Sequence, residues 1–168
     1  EAGANEAAMT QIRLSQSVDV NAPVTQVFAL ASGARLPVFI RPAGPLPGVA
    51  RIEGVADWAR PGETRRLLLT DGSSLNEELT AIDRDRSFAY RAMGFSGPFG
   101  ALVREGRGEW VFSQSPGGVG VVWSYAFTPR GPLAAPLLEL IVRLLWPRYM
   151  RAALARLKAE AEKDGARP

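Results

Sequence analysis

The first part of the chain alternates between apolar and polar residues, as a strand with one buried face does. The apolar side of this alternation holds Ile12, Leu14, Val18 and Val20. Residues 21–23, Asn-Ala-Pro, are typical of a helix start, and the apolar residues after them predict a short helix that ends at Gly33. Residues 35–40 predict one further helical turn before the irregular, proline-rich segment 42–48.

Residues 49–128 have the pattern of consecutive strands joined by short turns rich in glycine, proline or aspartate. Six strands are predicted, at residues 49–58, 63–69, 75–83, 88–92, 105–113 and 119–128. Strands joined by such short turns run antiparallel to their neighbours, so this part of the chain predicts an antiparallel meander.

The chain ends in a long helical pattern over residues 133–163. Its second half repeats Met150, Leu154, Leu157 and Ala161 on one face of a helix. Its first half is apolar almost all round, which predicts deeper burial. Pro147 has no backbone N–H donor, so we expect a kink or a break in the helix near it.

One strand, two short helices, six strands and a long helix predict an α+β fold. We expect residues 9–165 to form a single domain and residues 1–8 to be an expression-tag remnant or a disordered leader. The apolar run at residues 137–146 contains Glu139 and Arg143 and is too short to span a bilayer. We expect a cytoplasmic protein that is a monomer or a weak homodimer.

Composition narrows the chemistry that the chain can perform. The 168 residues include no cysteine and no histidine, which excludes disulfides, thiol nucleophiles, Ser-His triads and most zinc sites. We therefore predict no metal site and no cofactor. The net charge is +3, but the basic residues are scattered along the chain, so we predict no nucleic-acid binding.

Several motifs follow one another in an order and spacing that resemble a known superfamily. They are residues 18–28 (Val-Asp-Val-Asn-Ala-Pro-Val-Thr-Gln-Val-Phe), 61–65 (Pro-Gly-Glu-Thr-Arg), Asp71-Gly72, Glu77-Glu78-Leu79, Asp83, Tyr90, Trp123-Ser124, Phe127 and Pro129. Together they resemble the START-like, or SRPBCC, superfamily of polyketide cyclases/dehydrases and lipid-transport proteins, over residues 9–163. The central hairpin most resembles bacterial ligand-binding and cyclase-like members, and the plant hormone receptors built on this fold.

The resemblance implies a helix-grip fold with the order β-α-α-β6-α. In that fold a curved antiparallel sheet of about seven strands wraps around a long C-terminal helix, and an apolar cavity lies between them. Members of the superfamily bind lipids, hormones or polyketides in this cavity, and some of them are enzymes.

Strand parity places one arginine and one glutamate on the inward face of neighbouring strands, Arg65 and Glu77. The apolar residues that share these faces are Leu67, Leu69, Leu75, Leu79 and Ala81. Buried charges must be paired or neutralised, so we expect Arg65 and Glu77 to pair with each other or to meet the polar end of a ligand. The alternatives are a structural ion pair at the rim of the sheet, or a parity broken by a bulge.

Most other inward positions are aromatic. They are Phe88, Tyr90, Trp110, Phe112, Trp123, Tyr125 and Phe127. Alternating aromatic residues usually form only the core, but a cavity between sheet and helix would make some of them its lining. The hydroxyls of Tyr90 and Tyr125 need partners when they are buried.

Two further segments complete the predicted lining. The glycine-rich loop 94–100 carries Phe95 and Phe99, which the resemblance places at the cavity mouth as a mobile gate. Packing onto the helix or contact with another molecule are the alternatives. The resemblance also places the first half of the long helix at the entrance. The predicted ligand-binding residues are Arg65, Leu67, Leu69, Leu75, Glu77, Leu79, Phe88, Tyr90, Phe95, Phe99, Trp110, Phe112, Trp123, Tyr125, Leu137, Ile141 and Leu145.

Three functions are open at this point, and we favour the first. It is the binding, transport or sensing of a small hydrophobic ligand such as a lipid, an isoprenoid or an aromatic polyketide. The second is a cyclase or dehydratase, with Arg65 polarising a carbonyl, Glu77 as general base and Tyr90 or Tyr125 as proton donor. An ion pair with Arg65 would oppose the raised pKa that Glu77 needs for this. The third is a protein-interaction module.

Overall fold

The computed structural model describes residues 10–165 and contains a seven-stranded antiparallel sheet and three α-helices. The strands are β1 (Ile12–Val20), β2 (Val49–Gly54), β3 (Thr64–Leu69), β4 (Ser74–Asp83), β5 (Ser87–Met93), β6 (Val103–Ser115) and β7 (Gly118–Pro129). The helices are α1 (Val24–Ser32), α2 (Leu36–Phe39) and α3 (Ala135–Gly165), with a 3-10 turn at Pro98–Ala101. The predicted helix-grip fold is confirmed. The leader predicted at residues 1–8 lies outside the described residues.

The sheet has the strand order β1-β7-β6-β5-β4-β3-β2. Strands β2 to β7 are neighbours in sequence and in space because their connections are too short to allow a crossover. Strand β1 closes the other edge by pairing along its whole length with β7, from Ile12 opposite Phe127 to Val20 opposite Val119. Helices α1 and α2 therefore connect the two edges of the sheet, and one face of the sheet is left for the core.

A bulge in β4 changes the strand parity that the sequence predicts. Leu79 is opposite Tyr90, but Ala81 is opposite Ala89, so Thr80 is the extra residue. The bulge turns Ala81 outward, where it is exposed, and Ile82 takes a half-buried position. The inward position predicted for Ala81 is wrong for this reason. Residues before the bulge keep the predicted parity.

Helices α1 and α2 pack on aromatic residues of the central strands. Phe28 of α1 contacts Phe88 and Phe112, at ring-centroid distances of 5.7 and 5.2 Å. Phe39 of α2 contacts Trp110 at 6.2 Å. These contacts attach α1 and α2 to the inner face of the central strands.

The second half of α3 is the main packing helix of the fold. Met150, Leu154, Leu157 and Ala161 are at most 1% exposed, and α3 lies along β1 and against α1 and α2. The helix is continuous from Ala135 to Gly165 with Pro147 inside it, so of the kink or break expected near Pro147 the break does not occur. This half behaves as its amphipathic pattern predicts.

The first half of α3 is not buried more deeply, and that prediction is wrong. Leu137, Leu140 and Leu144 are 50%, 55% and 64% exposed, while Leu138 and Val142 face the protein. A helix that packs on one side only cannot bury a surface that is apolar all round. In the described part of the chain, no helix is long and apolar enough to cross a membrane.

Candidate ligand-binding site

A cavity of about 320 Å³ lies between the inner face of the sheet, the segment that contains α2, and α3. Its volume falls at the lower end of the range of about 300–1,000 Å³ that is typical of small-molecule sites. Leu36, Ile40 and Leu46 form the wall on the α2 side, and the sheet supplies aromatic residues on the other. The side chains of the protein therefore do not fill the space between sheet and helix.

Most of the residues predicted for the lining lie on the wall of this cavity. They are Arg65, Leu67, Leu69, Leu75, Glu77, Phe88, Tyr90, Phe95, Phe99, Trp110, Trp123 and Tyr125. They come together because strands β3 to β7 are adjacent and all of these residues except Phe95 and Phe99 are strand residues.

The structure corrects the placement of five predicted residues. Leu79 and Phe112 are buried away from the cavity, and Phe112 packs on Phe28. Leu137, Ile141 and Leu145 of α3 are also absent from the cavity wall. Helix α3 reaches the cavity with other side chains, Trp146 and Tyr149, because it is rotated about its axis relative to the prediction.

Arg65 and Glu77 face each other on β3 and β4 and form the predicted ion pair. Arg65 Nε donates to Glu77 Oε1 at 2.9 Å, and both side chains are at most 5% exposed. Arg65 Nη1 also donates to two backbone carbonyls, those of Ser32 at 3.5 Å and Ala56 at 3.3 Å. The guanidinium lies over the Trp58 ring at 4.1 Å, so the protein itself satisfies most of its interactions.

The Glu77 carboxylate has one oxygen that the protein does not use. Only Oε1 takes part in a hydrogen bond with a described residue, and Glu77 lines the cavity. Burial raises the pKa of the Glu77 carboxyl, and the positive charge of Arg65 offsets this rise only in part. The ion pair with Arg65 therefore opposes the rise in pKa, as expected, but burial outweighs it.

Tyr90, Tyr125 and Trp123 form a second polar group in the wall. The Tyr90 hydroxyl donates to the Tyr125 hydroxyl at 2.8 Å and accepts from Trp123 Nε1 at 3.3 Å. The Tyr125 proton then has no acceptor among the described residues, and Tyr125 lines the cavity. Burial raises the pKa of both tyrosines, so both hydroxyls stay protonated and Tyr125 can donate to a ligand.

Gly108 makes the contact between these two tyrosines possible. Tyr90, Gly108 and Tyr125 are opposite one another on β5, β6 and β7, so the tyrosines are two strands apart. The Tyr90 ring lies over Gly108 so closely that a Cβ there would be 2.2 Å from Tyr90 Cζ. Only a residue without a side chain allows the Tyr90 hydroxyl to reach Tyr125.

Aromatic packing holds the segment 95–99 against α3. The Phe99 ring stacks on Trp146 at 4.8 Å and contacts Phe95 at 5.5 Å. A second contact of α3 joins it to the proline-rich segment: the Tyr149 hydroxyl donates to the Pro47 carbonyl oxygen at 2.6 Å. The alternative of packing onto the helix thus describes the observed arrangement of Phe99, although Phe95 and Phe99 also line the cavity.

Sequence reasoning missed three contributors to this site, Gly108, Trp146 and Tyr149. Gly108 is, like Gly106, an inward glycine on a strand whose next inward residues are Trp110 and Phe112. That gap in the aromatic pattern is the signal in the sequence. Nothing in the pattern of α3 distinguishes the side that carries Trp146 and Tyr149, because its first half is apolar all round. Among the described residues, no group of three or more Asp or Glu side chains could hold a metal ion.

Comparisons with known proteins agree with this architecture. Residues 11–162 match the family described as "Polyketide cyclase / dehydrase and lipid transport". No curated protein is significantly similar to the chain in sequence.

Solved structures that are similar in fold include the following three. The crystal structure of Ara h 8.0201 has a TM-score of 0.67 at 18% identity, over 90% of this chain and 97% of that one. Protein Ms6760 from Mycobacterium smegmatis has a TM-score of 0.62 at 20% identity, over 88% and 89%. The di-domain ARO/CYC StfQ from the steffimycin biosynthetic pathway has a TM-score of 0.68 at 17% identity, over 94% of this chain and 53% of StfQ.

Proposed function

The chain belongs to the polyketide cyclase / dehydrase and lipid transport family, and from that premise we propose that it binds a small hydrophobic ligand that carries a hydroxyl or carbonyl group. The apolar body of the ligand lies against the aromatic residues of the sheet. Its polar group lies between Glu77 and Tyr125. A lipid, an isoprenoid or an aromatic polyketide would meet these requirements.

One observation carries this proposal. The cavity has an apolar wall that contains two hydrogen-bonding groups without partners among the described residues, Glu77 Oε2 as an acceptor and the Tyr125 hydroxyl as a donor. A polar group that a protein leaves unpaired in an apolar wall costs free energy unless something binds there. A ligand hydroxyl can satisfy both groups, since it donates to a carboxylate and accepts from a phenol.

The test compares two probes that differ only in this polar group, 2-naphthol and naphthalene, by calorimetric titration of the purified protein. We expect 2-naphthol to bind about 5- to 10-fold more tightly, because one or two additional hydrogen bonds form in a buried site. The Ala92→Phe variant is the negative control, because Ala92 lines the cavity opposite Glu77. Equal affinities would contradict the polar part of the proposal, and no binding of either probe would contradict all of it.

A second function, that of a cyclase or dehydratase, is favoured by one specific observation. Glu77 Oε2 has no partner among the described residues and Glu77 lines the cavity, while burial raises the pKa of the carboxyl in the direction that a general base requires. The Tyr125 hydroxyl would then stabilise the negative charge that develops on the carbonyl oxygen. Arg65 is less suited to polarise that carbonyl, since its Nε and Nη1 already donate to protein atoms.

Exchange of a ligand proton separates the two functions. If the protein is a catalyst of this type, it should accelerate deuterium uptake at the carbon next to the carbonyl of 2-tetralone, a bicyclic ketone of similar size. Glu77→Gln should abolish the acceleration while 2-tetralone still binds. If wild-type protein binds 2-tetralone without accelerating exchange, the second function is contradicted and the first one stands.

A further inference from the structure

An apolar face of α3 is directed away from the protein. Its leucines are Leu133, in the turn before the helix, and Leu137, Leu140 and Leu144, and they are between 50% and 96% exposed. The spacing of three and four residues places the three helical leucines in one stripe along α3. The stripe lies opposite the buried residues Leu138 and Val142, so no element of the described chain covers it.

Arginines continue this stripe at one end and flank it at the other. Arg148 and Arg151 follow Leu144 at the same spacing; both are exposed, and neither forms an ion pair with a described residue. Arg104 and Arg130 are exposed at the end near Leu133, where Arg104 Nη2 donates to the Arg130 carbonyl oxygen at 3.4 Å. The acidic residue of this half of the helix, Glu139, is paired with Arg143 at 2.8 Å.

The positive charges at both ends of the stripe favour a negatively charged surface over a second copy of the chain as the partner of the leucines. In a symmetric contact between two copies, an antiparallel pair of helices would bring Arg148 and Arg151 close to Arg104 and Arg130 of the second copy. A parallel pair would bring each arginine close to the same arginine of the second copy. Both arrangements place like charges together in a contact of low dielectric constant, which is unfavourable. A negatively charged surface complements both ends of the stripe at once.

The shape of the face also matters. The leucines project from a single helix, and a convex row of this kind suits a deformable apolar phase rather than a shaped protein groove. Leucines on one side of a helix with arginines next to them are typical of helices that lie in the interface of an anionic membrane.

We propose that the face formed by Leu133, Leu137, Leu140, Leu144, Arg148 and Arg151, called here the leucine–arginine face, docks on a membrane that contains anionic lipids. The leucines enter the boundary between headgroups and acyl chains, and the arginines contact the phosphates. Trp146, which lies in the cavity wall, belongs to the same part of α3, so docking brings the cavity close to the lipid. The inference does not depend on which ligand the cavity binds.

Co-sedimentation of the full chain with vesicles tests this directly. Vesicles of phosphatidylcholine are compared with vesicles that contain equal parts of phosphatidylcholine and phosphatidylglycerol. We expect binding to the anionic vesicles only. The Arg148→Gln/Arg151→Gln variant should bind about 30-fold more weakly, because each arginine near an anionic surface contributes about 5-fold to the affinity. The Leu137→Gln/Leu140→Gln/Leu144→Gln variant should bind at least about 100-fold more weakly.

A matched control removes the same charge elsewhere. Arg84→Gln/Arg86→Gln changes two arginines in the turn between β4 and β5 and should bind as the wild type does. Glutamine has nearly the helix propensity of leucine and arginine, so the variants of α3 should stay folded, which circular dichroism checks.

The proposal is overturned if the wild type binds neutral and anionic vesicles equally, or if the control loses as much affinity as the arginine variant. It is also overturned if the wild type binds neither vesicle, which would assign the face to a protein partner, or if it forms a dimer that the leucine variant abolishes.

Discussion

The Arg65–Glu77 pair and the Tyr90–Tyr125 pair lie in the same cavity wall, one on strands β3 and β4 and the other on β5 and β7. Arg65 donates to Glu77 and to two backbone carbonyls, whereas the Tyr125 hydroxyl makes one hydrogen bond with the described residues and its proton has no acceptor among them. A buried charge needs the protein to supply its partners, while a neutral hydroxyl can leave its proton for a ligand at lower cost. The first pair therefore supports the fold, and the second supports binding. Glu77 takes part in both, since it pairs with Arg65 and also lines the cavity.

The largest effect should come from removing the charge that serves the fold. Arg65→Met leaves the Glu77 carboxylate buried and unpaired, so we expect the free energy of unfolding at pH 7 to fall by about 3–5 kcal/mol. Replacing both residues, in Arg65→Met/Glu77→Leu, should recover most of the loss because no buried charge is left. Urea unfolding measures both values.

The exposed Arg51–Glu53 pair provides the matched control, since it is also an arginine–glutamate pair at 2.9 Å. Arg51→Met should change stability by less than about 1 kcal/mol, because solvent screens this pair. If Arg65→Met cost no more than Arg51→Met, the assignment of Arg65 to the fold would be wrong.

A smaller loss should follow when the two tyrosines are separated. Gly108→Ala places a methyl group where the Tyr90 ring lies, so we expect a destabilisation of about 1–3 kcal/mol. The double variant Gly108→Ala/Tyr90→Leu should restore part of it, because the smaller side chain makes room for the methyl group. Gly131→Ala is the control, since a Cβ there meets nothing within 4 Å. Additive effects of the two substitutions would show that Gly108 does not serve the Tyr90 ring.

The pH dependence of stability isolates Glu77. Its pKa is raised in the folded protein above the ordinary value of 4.5, chiefly by burial, so the folded state holds this proton more tightly than the unfolded chain does. The contribution of Glu77 to the free energy of unfolding therefore falls as pH rises from about 4.5 through the folded pKa, and it is constant above that. In urea unfolding across this window, the wild type minus Glu77→Gln difference should fall with pH. A difference that rises with pH would mean that Arg65 outweighs burial and holds the pKa of Glu77 below its ordinary value.

The smallest change should concern binding alone. Tyr125→Phe removes the donor that is free for a ligand, so the affinity for 2-naphthol should fall about 5-fold while the affinity for naphthalene is unchanged. Tyr149→Phe is the matched control, since the Tyr149 hydroxyl already donates to Pro47. The ratio of the two affinities, measured by calorimetry, should drop for Tyr125→Phe only. An equal drop of this ratio for both variants would show that Tyr125 is not the donor to the ligand.

Strand alternation predicted the antiparallel strands and the Arg65–Glu77 pair, because both depend on a period of two residues, which the sequence displays directly. The helix-grip arrangement was implied by the resemblance to the START-like superfamily. Strand alternation could not predict that Tyr90 reaches across Gly108 to Tyr125, since parity gives the face of a residue but not its neighbours two strands away. The bulge at Thr80 leaves no mark in the sequence pattern, and it turns Ala81 outward and Ile82 inward. The rotation of α3 about its axis could not be predicted either, because a helix that is apolar all round has no preferred side. Trp146 was therefore missed, and Leu137 was placed in the cavity.

The most direct test of the central claim is native mass spectrometry of the protein as purified and after addition of 2-naphthol. The wild type is compared with two variants on strand β5, Ala92→Phe, which places a large side chain in the cavity, and Ala89→Phe, which places it outside the cavity. We predict one bound small molecule on the wild type and on Ala89→Phe, and none on Ala92→Phe. Equal occupancy of all three proteins, or no uptake by the wild type, would contradict the claim that this cavity is a ligand-binding site.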